Sequence, residues 1–166
     1  VVWKNNSFSY LDDGFFFQND ELEIGQKLLR IFDRLSLLIK ETKPDLIGIE
    51  QTFVGSGNVS SLKLGMARGI CILTAAKLGV KTLEIQPRLV KKNITGSGVA
   101  SKEQVNLMVK NILNIVPKSE DSSDALAVAM SIQSKSIGKL DNGEYSSKLD
   151  QAIANALEKE KINIQK

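Results

Sequence analysis

The sequence predicts an α/β domain with a mixed sheet flanked by helices. Two observations carry this. Apolar residues switch repeatedly between short strand-like runs and a 3.6-residue period, and after an initial pair of strand-like runs the two types alternate. A chain of 166 residues, 42% apolar and 25% charged, can bury one core of its own.

"VVW" (1–3) reads as strand, "KNNS" (4–7) as a turn and "FSYLDDGFFF" (8–17) as a second strand with aromatic and polar residues interleaved. From Asp20 to Thr42, the residues Leu28, Ile31, Phe32, Leu35, Leu38 and Ile39 form one apolar helical stripe, which Pro44 terminates. "DLIGIE" (45–50) is a strand ending on an acid. Ser60–Leu78 is a helix apolar on nearly all sides, with Gly65 and Gly69 spaced to let another helix approach; a subunit interface could cover its second face. "KTLEI" (81–85) is a strand and "PRLVKKNI" (87–94) a short helix with Pro87 near its first turn. After the loop "TGSGVA", Ser101 and Gln104 form a capping box for a helix with Val105, Met108, Val109, Ile112 and Leu113 as its apolar positions. A last core helix runs from Asp121 to about Gln133. Residues 1–134 form the predicted domain. Residues 135–166 are a polar tail, with a Gly/Asn linker and a helix carrying the narrow stripe Leu149, Ile153 and Leu157, solvated or docked on a partner.

The chain has no histidine, which removes the usual general base, Ser-His-Asp triads and nearly every zinc-hydrolase site. Hydrolytic chemistry must therefore use carboxylates, lysines or an oxygen-ligated metal. The single cysteine, Cys71, lies in an apolar stretch and suits core packing; no disulfide framework exists. No apolar run reaches the roughly 18 residues of a membrane span and no signal peptide is evident, so the expected compartment is the cytoplasm. Residues 60–118 carry ten Lys and Arg against two acids, between two acidic segments. Such a block attracts a phosphate backbone, although solvated surface lysines give the same count.

Glu50 alone is an acid at a strand end, often only the polar edge of a sheet. In "SEDSSDALAVAM", Asp121 and Asp124 lie three apart, and the same helical face continues through Ala125 and Val128, so both are expected at the head of the inward face. Helix-dipole and capping roles account for Glu120 and for one aspartate. Two carboxylates on an apolar face are costly without a partner, and a Mg²⁺ site explains them: a pair of such ions roughly 4 Å apart clamps the attacking and leaving oxygens of a phosphodiester hydrolysis.

"PDLIGIEQTF", "SLKLGMARG", "RLVKKNITGSGVASKEQV" and "DSSDALAVA", in this order and spacing, resemble the RuvC family of Holliday-junction resolvases, which have an RNase H-like fold. The resemblance spans about Val1 to Ser131. It implies a homodimeric, Mg²⁺-dependent endonuclease, with Mn²⁺ as a possible substitute. Such an enzyme nicks opposed strands of four-way junction DNA and works with a branch-migration motor complex of the RuvA and RuvB type. It makes Glu50, Asp121 and Asp124 metal ligands and catalytic residues. Lys91 matches a lysine beside the active site and Lys102 another; phosphate positioning and charge stabilisation are their physical roles. Phe53 matches an aromatic that stacks on bases, although a loop Phe can also tuck into a core. Arg88 and Lys92 join the DNA-binding set, while Lys63 and Arg68 read as background charge.

The family's fourth carboxylate lies on a first strand, in a Gly-Ile/Leu-Asp-Pro-Gly stretch this sequence lacks. Asp12 and Asp13, in a predicted bulge or turn, are not convincing substitutes. The sequence therefore reads as a fragment that lacks the central strand and is impaired in cleavage, the other explanation being a degenerate short protein. Three functions stay open: a junction-resolving nuclease, a non-catalytic junction-binding module, and another RNase H-like nuclease acting on linear DNA or RNA.

Overall fold

A computed structural model describes residues 1–16, 21–51 and 59–136. The elements, in chain order, are β1 (Val2–Lys4), β2 (Ser7–Ser9), α1 (Ile24–Thr42), β3 (Leu46–Glu50), α2 (Val59–Lys77), β4 (Lys81–Ile85), α3 (Pro87–Thr95), α4 (Lys102–Leu113) and α5 (Glu120–Ser136). Phe53 and almost all of the 135–166 tail lie outside the described residues.

β1 and β2 form an antiparallel hairpin, Val2 opposite Ser9 and Trp3 opposite Phe8. Its two-residue turn is Asn5-Asn6, with φ of 53° and 58°. Asparagine tolerates this left-handed backbone, and such turns match the twist of the paired strands. The Trp3 and Phe8 rings meet across the hairpin at 4.5 Å between centroids.

The second strand is shorter than its residue pattern suggests and stops at Ser9. Beyond it the chain is irregular because its polar side chains bond elsewhere. The Tyr10 hydroxyl donates to Asp13 Oδ1 (2.5 Å), and the Lys118 backbone N–H, far along the chain, donates to Asp13 Oδ2 (2.8 Å). Burial pushes the Asp13 carboxyl up, but hydrogen bonds from Ser122, Tyr10 and the Lys118 amide outweigh it and hold the group below its ordinary range.

β3 and β4 are parallel, in register from Leu46–Lys81 to Glu50–Ile85, with α2 as the crossover. Among the described residues the strands of the expected mixed sheet fall into two pairs, one antiparallel and one parallel, and no strand joins them.

The core sits around α3, α4 and α5. Ile85, Val90, Ile94, Val105, Val109, Leu126 and Met130 belong to one buried cluster, and Val1, Phe8 and Tyr10 pack against it. Pro87 opens α3 and Gly96, at φ 80°, closes it. The capping box at α4 forms as predicted: Gln104 N–H to Ser101 Oγ at 3.3 Å, Ser101 N–H to Gln104 Oε1 at 2.9 Å. Ile112, expected inside, is 40% exposed.

α1 begins at Ile24 rather than Asp20, and Leu38 of its predicted stripe faces outward. α1 packs on α2. α2 is apolar all round, yet Leu62, Met66 and Leu73 are exposed on one helical stripe, and nothing lies within 4 Å of a Cβ built on Gly65 or Gly69. The close helix approach expected at these glycines is therefore not made within the described residues. Arg68, which the sequence suggests is background charge, is half-buried and paired with the nearly buried Glu84 of β4. Cys71 is half-buried, and burial raises its thiol pKa.

Candidate active site

Three features of the backbone bring the site together. β3 ends at Glu50, α3 begins two residues after β4, and α5 crosses β3 closely enough that Gly48 is needed. A Cβ at Gly48 would lie 2.9 Å from Ile132 Cγ2 and 3.0 Å from Val128 Cγ1. Residues 48 and 50 share one side of the strand, and residues 124, 128 and 132 one side of the helix. With Gly48 against Val128 and Ile132, the next pair along is Glu50 and Asp124.

Both line an open pocket of about 210 Å³, together with Lys91, Lys102, Pro87, Val90, Val105 and Ala127. That is room for a phosphate group and several waters, not for a duplex. The Glu50 carboxyl is raised above its ordinary value, first by burial and then by the facing charge of Asp124. Lys102, the first residue of α4, places its ammonium 3.2 Å from Glu120 and 3.3 Å from Asp124. These two pairs, Glu120 first, raise its pKa and keep it charged. All three side chains are about half exposed or more, so the pairs orient rather than stabilise.

Asp121 is not gathered into this pocket. It is on the same helix face one turn earlier, past the end of β3, and is exposed. The buried face of α5 is centred instead on Ser122, Ser123, Leu126 and Ala127, with Ser123 Oγ donating to Asn106 Oδ1 of α4 at 2.8 Å. The expected head of the inward face is thus turned aside at Asp121 and Ala125. The small residues of α5 let most of the helix surface be buried, so apolar spacing could not identify the inner side. Among the described residues no group of three acids is close enough to hold a metal ion; the predicted trio is present as a facing pair. The pair fits one hard divalent cation, since Mg²⁺ is commonly held by one or two carboxylates completed by substrate phosphates and water.

Arg88, Lys91 and Lys92 follow helical spacing on α3, opposite its buried Val90 and Ile94. Arg88 and Lys92 are exposed beside the pocket, and a Cβ at Gly98 would meet Arg88 Cγ at 2.9 Å, so the Gly-rich loop lies against the arginine stem. Asp12 and Asp13 are engaged by Lys118, away from the pocket residues. Glu120, read from sequence as a helix-dipole acid, is an unanticipated partner of Lys102; no spacing signal links residues 102 and 120.

A family model described as "Crossover junction endodeoxyribonuclease RuvC" matches residues 1–132. The chain belongs to the RuvC family. A crossover junction endodeoxyribonuclease RuvC of Ruminiclostridium cellulolyticum is 39% identical over 132 residues, 78% of this chain and 80% of that one. The RuvC of Ruegeria pomeroyi is 38% identical over 131 residues, covering 78% and 79%. Among solved structures, RuvC from Thermus thermophilus superposes with a TM-score of 0.70 at 27% identity, over 76% of this chain and 78% of that chain. The same enzyme in complex with a Holliday junction substrate gives 0.68 at 28% identity, over 72% and 73%. The fold is therefore RNase H-like, as the motifs imply, and RuvC proteins are metal-dependent nucleases.

Proposed function

We propose that this chain is a structure-selective endonuclease that resolves four-way DNA junctions during recombination and repair by Mg²⁺-dependent phosphodiester hydrolysis. The observation that carries the reading is the facing pair Glu50 and Asp124, flanked by Lys91 and Lys102, at the mouth of a basic helix in a RuvC-family chain. Glu50 and Asp124 would hold the cation, with substrate phosphate oxygens and water completing its shell, and Asp121, exposed one turn earlier on α5, lies outside that pair. A bound divalent ion supplies charge neutralisation at the scissile phosphate and a more acidic attacking water. Lys91 and Lys102 orient the phosphate and oppose the negative charge that builds on its oxygens. Arg88 and Lys92 hold the neighbouring backbone in register without reading sequence, and Phe53 is proposed to stack at the opened crossover.

The same reading bears on partners. Paired nicks need two sites related by a two-fold axis, and the uncovered apolar stripe of α2 supports a homodimer. A branch-migration motor of the RuvA and RuvB type is implied by the family alone, as is the cytoplasmic location; among the described residues no helix is long and apolar enough to cross a membrane. A second reading, a junction-binding module with little cleavage, is favoured by one observation: among the described residues, two carboxylates, Glu50 and Asp124, line the pocket. With so few ligands the ion is expected to be held weakly and cleavage to be slow.

The deciding experiment compares cleavage of a four-way junction with linear duplex DNA and RNA, with and without Mg²⁺, for the parent chain and for Glu50→Gln and Asp124→Asn. Junction-selective, Mg²⁺-dependent nicking lost in both variants while binding persists supports the nuclease. Tight junction binding with no cleavage by the parent chain supports the module instead, and equal cleavage of linear substrates rejects both.

A further inference from the structure

The irregular segment 10–13 is tied to the start of α5 by more bonds than its small size requires. The Asp13 side chain is 1% exposed. Its two oxygens take separate donors, the Tyr10 hydroxyl at 2.5 Å and the Lys118 backbone N–H at 2.8 Å. The Lys118 ammonium turns back onto the same segment, donating to Asp12 Oδ1 at 2.6 Å and to the Asp13 carbonyl oxygen at 2.7 Å. Residue 118 is therefore gripped through its backbone and its side chain at once.

The grip is consequential because Lys118 leads directly into α5. Ser119 and Ser122 cap that helix reciprocally, Ser119 N–H to Ser122 Oγ at 2.9 Å and Ser122 N–H to Ser119 Oγ at 3.0 Å. The Ser122 hydroxyl donates to the Ser119 carbonyl oxygen at 2.9 Å and lies beside the Asp13 carboxyl, which it helps to hold below its ordinary range. Asp124 stands two residues further on, within the first turn and a half of a rigid helix. The other end of that helix is seated by Gly48 against Val128 and Ile132. One contact fixes how near α5 comes to β3, and the other fixes where its head points.

The exposed Lys118–Asp12 pair cannot be the reason for the arrangement, since such pairs contribute little. Burying Asp13 is itself unfavourable unless its donors are held in place. Such an arrangement specifies geometry more than it adds stability.

We propose that Asp13 is a positioning residue for the α5 carboxylate: by holding Lys118 and Ser122 it aims the first turn of α5 so that Asp124 faces Glu50 across the pocket. The inference rests on the reading of Glu50 and Asp124 as joint holders of a divalent cation. It assigns a role to a residue outside the pocket, 105 positions from the amide it holds.

The test is calorimetric titration of the full chain with Mn²⁺, alongside thermal unfolding, for the parent, Asp124→Asn, Asp13→Asn, Tyr10→Phe and Val109→Ala. The last is a buried core residue of α4 that does not line the pocket. Groups that orient a metal ligand typically cost about 10-fold in metal affinity when removed. Asp13→Asn is expected to weaken Mn²⁺ binding by about that factor and Tyr10→Phe by a smaller one, whereas Val109→Ala lowers the unfolding temperature and leaves the affinity within about twofold. Should Asp13→Asn not fold, Tyr10→Phe, which leaves the carboxylate in place, carries the comparison. Unchanged affinity in the folded Asp13 or Tyr10 variants, or an equal loss in Val109→Ala, overturns the positioning role and leaves the metal reading intact. Absence of Mn²⁺ binding in the parent, or its survival in Asp124→Asn, overturns both.

Discussion

Gly48 of β3 and Ile132 of α5 are in contact only because Gly48 has no side chain: a Cβ there would stand 2.9 Å from Ile132 Cγ2. Real Cβ atoms do not approach so closely, so Gly48→Ala has to push α5 away from β3. The expected cost is about 1–3 kcal/mol in urea unfolding, the usual range for overpacking. Because the same displacement parts Glu50 from Asp124, cleavage should fall with it. Combining Gly48→Ala with Ile132→Ala, which removes the Cγ2 methyl, should recover part of the loss in a double-mutant cycle; strict additivity would show that the contact does not set the helix position.

Glu50→Gln should stabilise the metal-free protein while abolishing its response to metal. The folded Glu50 carboxyl lies above its unfolded value, through burial and the charge of Asp124. Its protonated form therefore favours folding at low pH, and this contribution is lost as the pH rises through the folded value. At neutral pH the ionised group is a liability that glutamine removes. Since Glu50 is exposed on one side, screening keeps the gain to about 1–2 °C in unfolding temperature. Melting curves with and without Mg²⁺ or EDTA check both halves of the claim.

Acid should loosen the start of α5 before it unfolds the core. The Asp12 and Asp13 carboxyls are both held below their ordinary value of 3.8, Asp12 by the Lys118 ammonium and Asp13 by Ser122, Tyr10 and the Lys118 amide acting against burial. Groups depressed in this way stabilise the fold fully above the unfolded value and lose that contribution as the pH falls through the folded one. Protection of the amides at residues 118–123, relative to intrinsic exchange at each pH, should therefore fall below about pH 4 in the parent chain. In Asp13→Asn the protection should already be low at about pH 6, with most of its pH dependence gone.

Lys102→Ala should weaken junction binding and reduce the salt slope of log affinity by about one counterion. Arg88→Ala and Lys92→Ala should do the same without changing cleavage of saturated enzyme. Lys102→Ala should also slow the saturated reaction, because its ammonium is 3.3 Å from Asp124. Filter binding at several salt concentrations, with single-turnover cleavage beside it, separates the two kinds of basic residue.

A charge on the outer stripe of α2 should dissociate the proposed dimer. Leu73 is 57% exposed and aligned with Leu62 and Met66. Leu73→Lys is expected to yield monomers in sedimentation analysis and single rather than paired nicks. An unchanged sedimentation coefficient would place the subunit contact on another face.

Much of this arrangement was legible in the residue pattern, and what was not has definite causes. Pro87, the Ser101/Gln104 box and the strand closing on Glu50 are local signals, fixed by backbone chemistry within a few residues. The inner side of α5 was harder to read, because serines and alanines can be buried on any side. Partners remote in sequence leave no periodic trace: Asp13 with Lys118, Lys102 with Glu120, and Arg68 with Glu84 each required the fold to be seen. Asp121 was placed on the correct helix, but its exposure depends on where β3 ends.

The in-register pairing of β3 with β4 also bears on how this protein can change. Gln51 N–H still reaches the Ile85 carbonyl oxygen at 2.9 Å, so the two strands finish level and the pocket opens at their carboxyl ends. In open α/β sheets that rim is where ligands bind. The residues that hold the sheet together and those at that rim are thus consecutive in the chain but distinct. Under the proposed function, Gln51 and Gln86 at that rim can vary to suit a different DNA geometry while Leu46–Ile49 and Lys81–Glu84 stay as they are. Substrate preference in this scaffold can drift without any renegotiation of its stability.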